Sequence, residues 1–145
     1  MKKGRRLLLG VTVVTVGFIW IHSCMSRAVS REESGMVMRL ITPFLELFVG
    51  KGNVTDHLVR KLAHFAEFSV LGLELALLFH GNISKARTAL IHGFGVTFLD
   101  ETIQIFSGRG PAISDVWLDM AGVAAGIGLI HLARSLLIRK KQGSE

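Results

Sequence analysis

FLDETIQIFSGRGPAISDVWLDMAGVAAG, Phe98–Gly126, decides how this 145-residue chain is read. An apolar run ends in Asp100 and Glu101, with Gln104 one turn further on. A short stretch rich in Gly and Ser follows and carries Arg109. The next apolar run opens with Asp115 and Asp119 and continues through Gly122 and Gly126. Two apolar segments joined by a brief polar connection predict a helical hairpin, with its acids gathered where the two helices turn back.

Composition supplies the solvent. Half of the residues are hydrophobic and only 19% are charged, more apolar than a soluble domain of this length ordinarily is. A bilayer core about 30 Å thick takes about 20 mostly apolar residues in a helix. Four stretches approach that length: about 7–25, 62–80, 88–106 and 116–138. Between the first two lies VMRLITPFLELFVG, residues 37–50, too short to cross and interrupted by Arg39, Pro43 and Glu46. It is expected to lie in the interface or to re-enter. The predicted fold is all-α: one domain over residues 1–145, an integral membrane bundle of four transmembrane helices with a short interfacial or re-entrant helix between the first and second.

Basic residues set the orientation. Lys2, Lys3, Arg5 and Arg6 precede the first span, Lys85 and Arg87 join the second to the third, and Arg139, Lys140 and Lys141 follow the fourth. With four crossings all three clusters share one side, which predicts a multi-pass membrane protein with both termini cytoplasmic. Trp20 and Trp117 then lie at the outer interface. A net charge of +6 is read as these flanks, so nucleic acid is not an expected partner. The N-terminal run has some features of a secretory signal, and IHSC before residue 25 loosely resembles a lipoprotein box that His22 fits poorly; the run is expected to stay as a span. With a single Cys there is no disulfide or thiolate metal pattern.

This topology stacks the polar residues in one outer layer. Lys61, His64 and Glu67 come from the start of the second span, Asp100, Glu101 and Gln104 from the end of the third, and Asp115 and Asp119 from the start of the fourth, with Arg109 between. Lys61 and His64 are three residues apart, Asp100 and Gln104 four, Asp115 and Asp119 four, so each set shares a helix face. Those faces continue as Gly72, Gly93, Gly122 and Gly126, small residues that let helices approach in lipid. A polar layer can be helix glue alone, or Lys61 and Arg109 can neutralise its acids. So many ionisable groups at one depth also make a functional site. Glu74, His92 and His131 share a deeper level and read as structural, with Glu74 expected to pair with one of the two histidines.

KLAHFAEF, Lys61–Phe68, followed by Asp100–Gly126 resembles the VanZ-like family of bacterial membrane proteins over about Lys61 to Gly128. Its pattern is a Lys and His opening one helix, Asp-Glu with a nearby Gln, an Arg, and an Asp opening the last helix. Phe68 stands where that family often has Tyr, and Asp119 where it often has Asn. The resemblance implies a link to low-level resistance to the glycopeptide teicoplanin, and it implies Lys61, His64, Glu67, Asp100, Glu101, Gln104, Arg109 and Asp115 as the polar signature.

Three functions remain open at this stage. The first is an outward-facing site, made by those residues and Asp119, that binds an envelope lipid or precursor or a glycopeptide-related ligand. The second is a membrane-embedded hydrolase or transferase acting on a lipid-linked substrate, with His64, Glu67, Asp100, Glu101 and Asp115 as catalytic candidates and Ser114 the available hydroxyl. No resident cofactor or metal is expected; Mg²⁺ or Ca²⁺ would be the ions suited to Asp100, Glu101, Asp115 and Asp119. The third is transport, for which four short helices leave room only in a homo-oligomer.

Overall fold

The structure is a computed structural model that describes residues 2–24, 41–80, 83–107 and 113–142. It is all-helical over those residues: α1 is Lys2–Cys24, α2 is residues 41–49, α3 is Asp56–Leu78, α4 is Ile83–Phe106 and α5 is Ile113–Gln142. Each long helix begins or ends a few residues beyond the expected span, because helical backbone continues through the polar flanks that a hydropathy reading excludes. Of the expected 37–50 segment, 41–49 is helical and 37–40 lies outside the described residues.

Local chemistry fixes the ends. Thr55 caps α3 from an extended conformation, its side chain accepting from the Leu58 N–H at 3.2 Å. At the far end of α3 the Phe79 N–H donates to the Leu75 carbonyl at 2.9 Å. The short α2 stops at Gly50, whose φ of +85° suits a residue without a Cβ, and Gly52 follows at +77°. The Gly52 N–H then donates to Glu46 Oε1 at 3.1 Å.

Contacts set the topology of the long helices. Thr15 meets Glu74 and His22 meets Glu67, so α1 and α3 are antiparallel. Lys61 meets Asp115 and His64 approaches Asp119, so α3 and α5 are parallel. Ser23 meets Asp100, so α1 and α4 end together. The closest packing joins α3 to α5 through glycine. A Cβ on Gly72 would strike the Val123 carbonyl, one on Gly126 the Ser69 carbonyl, and one on Gly122 would lie 2.6 Å from the Phe65 carbonyl. Gly93 gives Val123 room against α4, where a Cβ would lie 2.5 Å from Val123 Cγ1. The glycine faces read in the sequence are therefore packing faces, as close approach in lipid demands.

Ile19, Phe68, Leu71, Leu75, Ala76, Ala89, Val123 and Ile127 form the apolar core. Large apolar side chains also cover the exterior, among them Leu7, Val14 and Ile21 on α1, Ile91 and Phe98 on α4, and Leu132 and Leu137 on α5. Two helical segments, Lys3–Cys24 and Ile113–Lys140, are long and apolar enough to cross a membrane by length and composition. α3 and α4 do not pass that measure, because Asp56, Arg60, Lys61, Glu67 and Glu74 interrupt one and Lys85, Arg87, Asp100 and Glu101 the other.

Candidate functional site

Four helix ends meet at one end of the bundle: the last turns of α1 and α4 and the first turns of α3 and α5. α3 supplies Lys61, His64 and Glu67, α4 supplies Asp100, Glu101 and Gln104, and α5 supplies Asp115 and Asp119. Arg109 lies outside the described residues. The other eight expected residues do share one end of the molecule. They form an inner group and a rim.

The rim is Lys61 and Asp115, with Nζ 3.1 Å from Oδ1 and both side chains 33% exposed. A pair so open to its surroundings contributes little to stability. The inner group centres on Asp100, which is fully buried. Ser23 Oγ donates to its Oδ1 at 2.6 Å, and Gln104 Nε2 donates to its Oδ2 at 2.8 Å. The same Gln104 nitrogen lies 3.2 Å from Glu101 Oε1, tying the two adjacent acids through one amide. His64 Nδ1 stands 4.0 Å from Asp119 Oδ1. One donor atom each from His64, Asp100 and Asp119 lies within 4.8 Å of the others. Two ionised carboxylates at that spacing repel by about 3 kcal/mol at an effective dielectric of about 20. The arrangement therefore suits a proton, a cation or a cationic ligand group.

α1 contributes His22, which carries little signal in the sequence, and Ser23, which the sequence does not single out. His22 Nδ1 lies 3.2 Å from Glu67 Oε1, and its ring stacks on that of His64 at 6.1 Å with 17° between the planes. Ser23 is fully buried and bonded to Asp100. The available signal is a His-Ser pair in the last turn of an otherwise apolar helix. Ser107 closes the layer, its Oγ donating to the Ser23 carbonyl at 3.1 Å.

A plug seals the layer from beneath. Ile19, Phe68 and Val123, all fully buried, each lie one turn inward of Ser23, His64 and Asp119 respectively. Deeper still, Glu74 is buried but pairs with neither His92 nor His131, which corrects the expectation from sequence. Thr15 Oγ1 donates to it at 2.8 Å, whereas both histidines are exposed and His92 Nδ1 lies against the Thr88 carbonyl at 2.8 Å. The His92 ring also packs against Phe79, with centroids 4.8 Å apart. An open cavity of about 340 Å³ lies at the opposite, basic end, lined by Arg5, Arg6, Leu9, Leu78 and Phe79. It belongs to a different end of the molecule from the polar layer.

An all-helical bundle with an apolar exterior and a buried acidic layer at one end defines the class of the protein. The VanZ/LLP1 family matches residues 8–134, most of the chain, and the chain belongs to that family. Comparison with curated proteins and with solved structures gave no match. The two apolar helices together with the family indicate a membrane protein.

Proposed function

We propose that the chain crosses the bacterial cytoplasmic membrane four times, with both termini inside, and that its polar layer faces outward and binds the polar part of a cell-envelope lipid or a glycopeptide-related ligand. The consequence of that binding is low-level resistance to teicoplanin. One observation carries the reading: acids and histidines from all four long helices gather at one end above an apolar plug, with Asp100, Glu101 and Asp119 buried and His22, His64 and Glu67 partly buried. Polar groups buried in hydrocarbon are costly unless they serve one another or a ligand.

Other features agree. α3 and α4, at 23 and 24 residues, are about 35 Å long and can span a bilayer. Their outer faces are apolar, with Leu62, Val70, Leu77, Ile91, Phe94 and Phe98 exposed. Arg5, Arg6, Lys85, Arg87, Arg139 and Lys140 sit at the end away from the acids, as a cytoplasmic side requires. Lys61 at the rim, with Arg109 between α4 and α5 in the sequence, supplies cations for a phosphate or carboxylate, and the acids accept from an amine or from sugar hydroxyls. The plug argues against a transport path.

The test is teicoplanin susceptibility of a sensitive Gram-positive host expressing the wild type, His64→Ala, Arg109→Ala or Asp115→Asn at matched membrane levels. Protection by the wild type that disappears in the variants is expected. No protection, or protection indifferent to all three changes, would remove the envelope function. The approach of His64 to Asp100 and Asp119 favours a second reading, a hydrolase or transferase acting on a lipid-linked substrate. A covalently altered envelope lipid, absent from the His64→Ala strain, would distinguish that reading from simple binding.

A further inference from the structure

We infer that His64, Asp100 and Asp119 are the protein ligands of one divalent transition-metal ion of the Zn²⁺ type. The three side chains come from α3, α4 and α5, so the site would pin together the helices that carry it. Their donor atoms lie within 4.8 Å of one another. Ligand bonds of about 2.0–2.2 Å at tetrahedral angles place two donors about 3.4 Å apart. The donors therefore have to close by up to about 1.4 Å to hold an ion, within reach of side-chain rotation from three helices.

Asp119 gives independent support. Its side chain is 1% exposed, and among the described residues neither carboxylate oxygen has a hydrogen-bond partner. Buried carboxylates are ordinarily surrounded by donors, because leaving water without replacement is costly. Asp119 instead aims into a space bounded by an imidazole nitrogen and a second carboxylate, where a cation satisfies it.

The surroundings have the form of an outer coordination shell. Ser23 and Gln104 each hold one oxygen of Asp100 and fix its plane. The His22 ring, itself 3.2 Å from Glu67, stacks on His64 and fixes that ring. Each Asp100 oxygen still has a second lone pair for a metal.

The donor set selects the ion. One imidazole with two carboxylates suits Zn²⁺, Mn²⁺ or Fe²⁺, whereas Ca²⁺ takes six to eight oxygens and Mg²⁺ keeps several waters around oxygen ligands. The ion's two positive charges also match two carboxylates. Three protein ligands leave a coordination position open, as catalytic rather than structural zinc sites do. An oxygen of water, phosphate or a carbonyl fits that position.

The ion would sit in the same polar layer as the envelope reading, but it is tested on the purified protein, so failure of one is distinguishable from failure of the other. The wild type is reconstituted in nanodiscs, stripped with a chelator and titrated with Zn²⁺ by calorimetry, with elemental analysis for stoichiometry. Co²⁺ is added in parallel for its visible d–d bands. About one Zn²⁺ per chain is expected, together with Co²⁺ bands of a site containing nitrogen and oxygen. His64→Ala and Asp119→Asn should weaken binding at least about 100-fold, and Ser23→Ala about 10-fold, by analogy with outer-shell losses. Asp56→Asn, on a half-buried ion pair with Arg60 away from the three ligands, serves as the control and should not change it. If a ligand variant fails to fold, the wild-type Co²⁺ spectrum and Ser23→Ala still decide. No stoichiometric Zn²⁺ or Co²⁺ binding by folded wild type, affinity unchanged in the folded variants, or equal preference for Mg²⁺ would overturn the assignment.

Discussion

Ser23 and Thr15 do the same work at two depths, each sending a hydroxyl from α1 to a buried carboxylate, Asp100 and Glu74. Removing a donor from a buried acceptor leaves its desolvation uncompensated, at about 1–3 kcal/mol. Ser23→Ala and Thr15→Val are therefore expected to lower the thermal stability of the detergent-solubilised protein by that order. Ser107→Ala should cost less, because Ser107 is half-buried and donates to the backbone carbonyls of Ser23 and Gln104. Equal melting temperatures for Ser23→Ala and the wild type would show that Asp100 has another source of stabilisation. These partnerships are hard to read from sequence for a simple reason. A hydroxyl in an apolar helix carries no mark of its target, and Ser23 finds its acid 77 residues away. Conversely, Lys61, His64, Asp100 and Asp115 announce themselves, since an ionisable group in an apolar run has few inexpensive places to go.

At the scale of the helix, glycine is the informative residue. Gly72, Gly122 and Gly126 let α3 and α5 touch backbone to backbone, in parallel, and that contact brings Lys61 to Asp115 and His64 towards Asp119. Gly72→Ala forces a methyl against the Val123 carbonyl, so the helices must separate. Overpacking of this kind typically costs about 1–3 kcal/mol. Gly95→Ala meets nothing within 4 Å and gains helix propensity, of order 1 kcal/mol. Melting curves in one detergent should thus move in opposite directions for the two changes, and a matching loss in both would contradict the packing assigned to Gly72. This part of the fold is legible because the glycines repeat on the same faces as the acids. What α1 touches is not, since a Cβ added at its glycines, Gly4, Gly10 and Gly17, would meet nothing within 4 Å, and they mark no contact. Its place beside α3 and α4 emerges only from side chains such as Ser23 and His22.

The whole molecule is apolar outside and acidic within at one end, and the orientation in the membrane decides what that acidic end faces. α1 and α5 qualify as spans on their own, whereas α3 and α4 carry ionisable groups, of which Glu74, Asp100 and Glu101 are buried in the packing. Leu78 and Phe79 lie beside Arg5 and Arg6, so the connection between α3 and α4 is at the end away from the polar layer, and it is cytoplasmic if that layer faces out. His80, exposed just after α3, reports that far end, and Ser114, exposed in the first turn of α5, reports the polar end itself. Cys24 is the native cysteine and is exposed at that same end, so it is first replaced by Ala. In this background a membrane-impermeant maleimide should label Ser114→Cys in intact cells, and label His80→Cys only after permeabilisation. Labelling of both in intact cells would contradict the packing that sets the end of α3 beside Arg5 and Arg6. Labelling of His80→Cys alone would invert the bundle and place the acids in the cytoplasm, beyond the reach of an external glycopeptide.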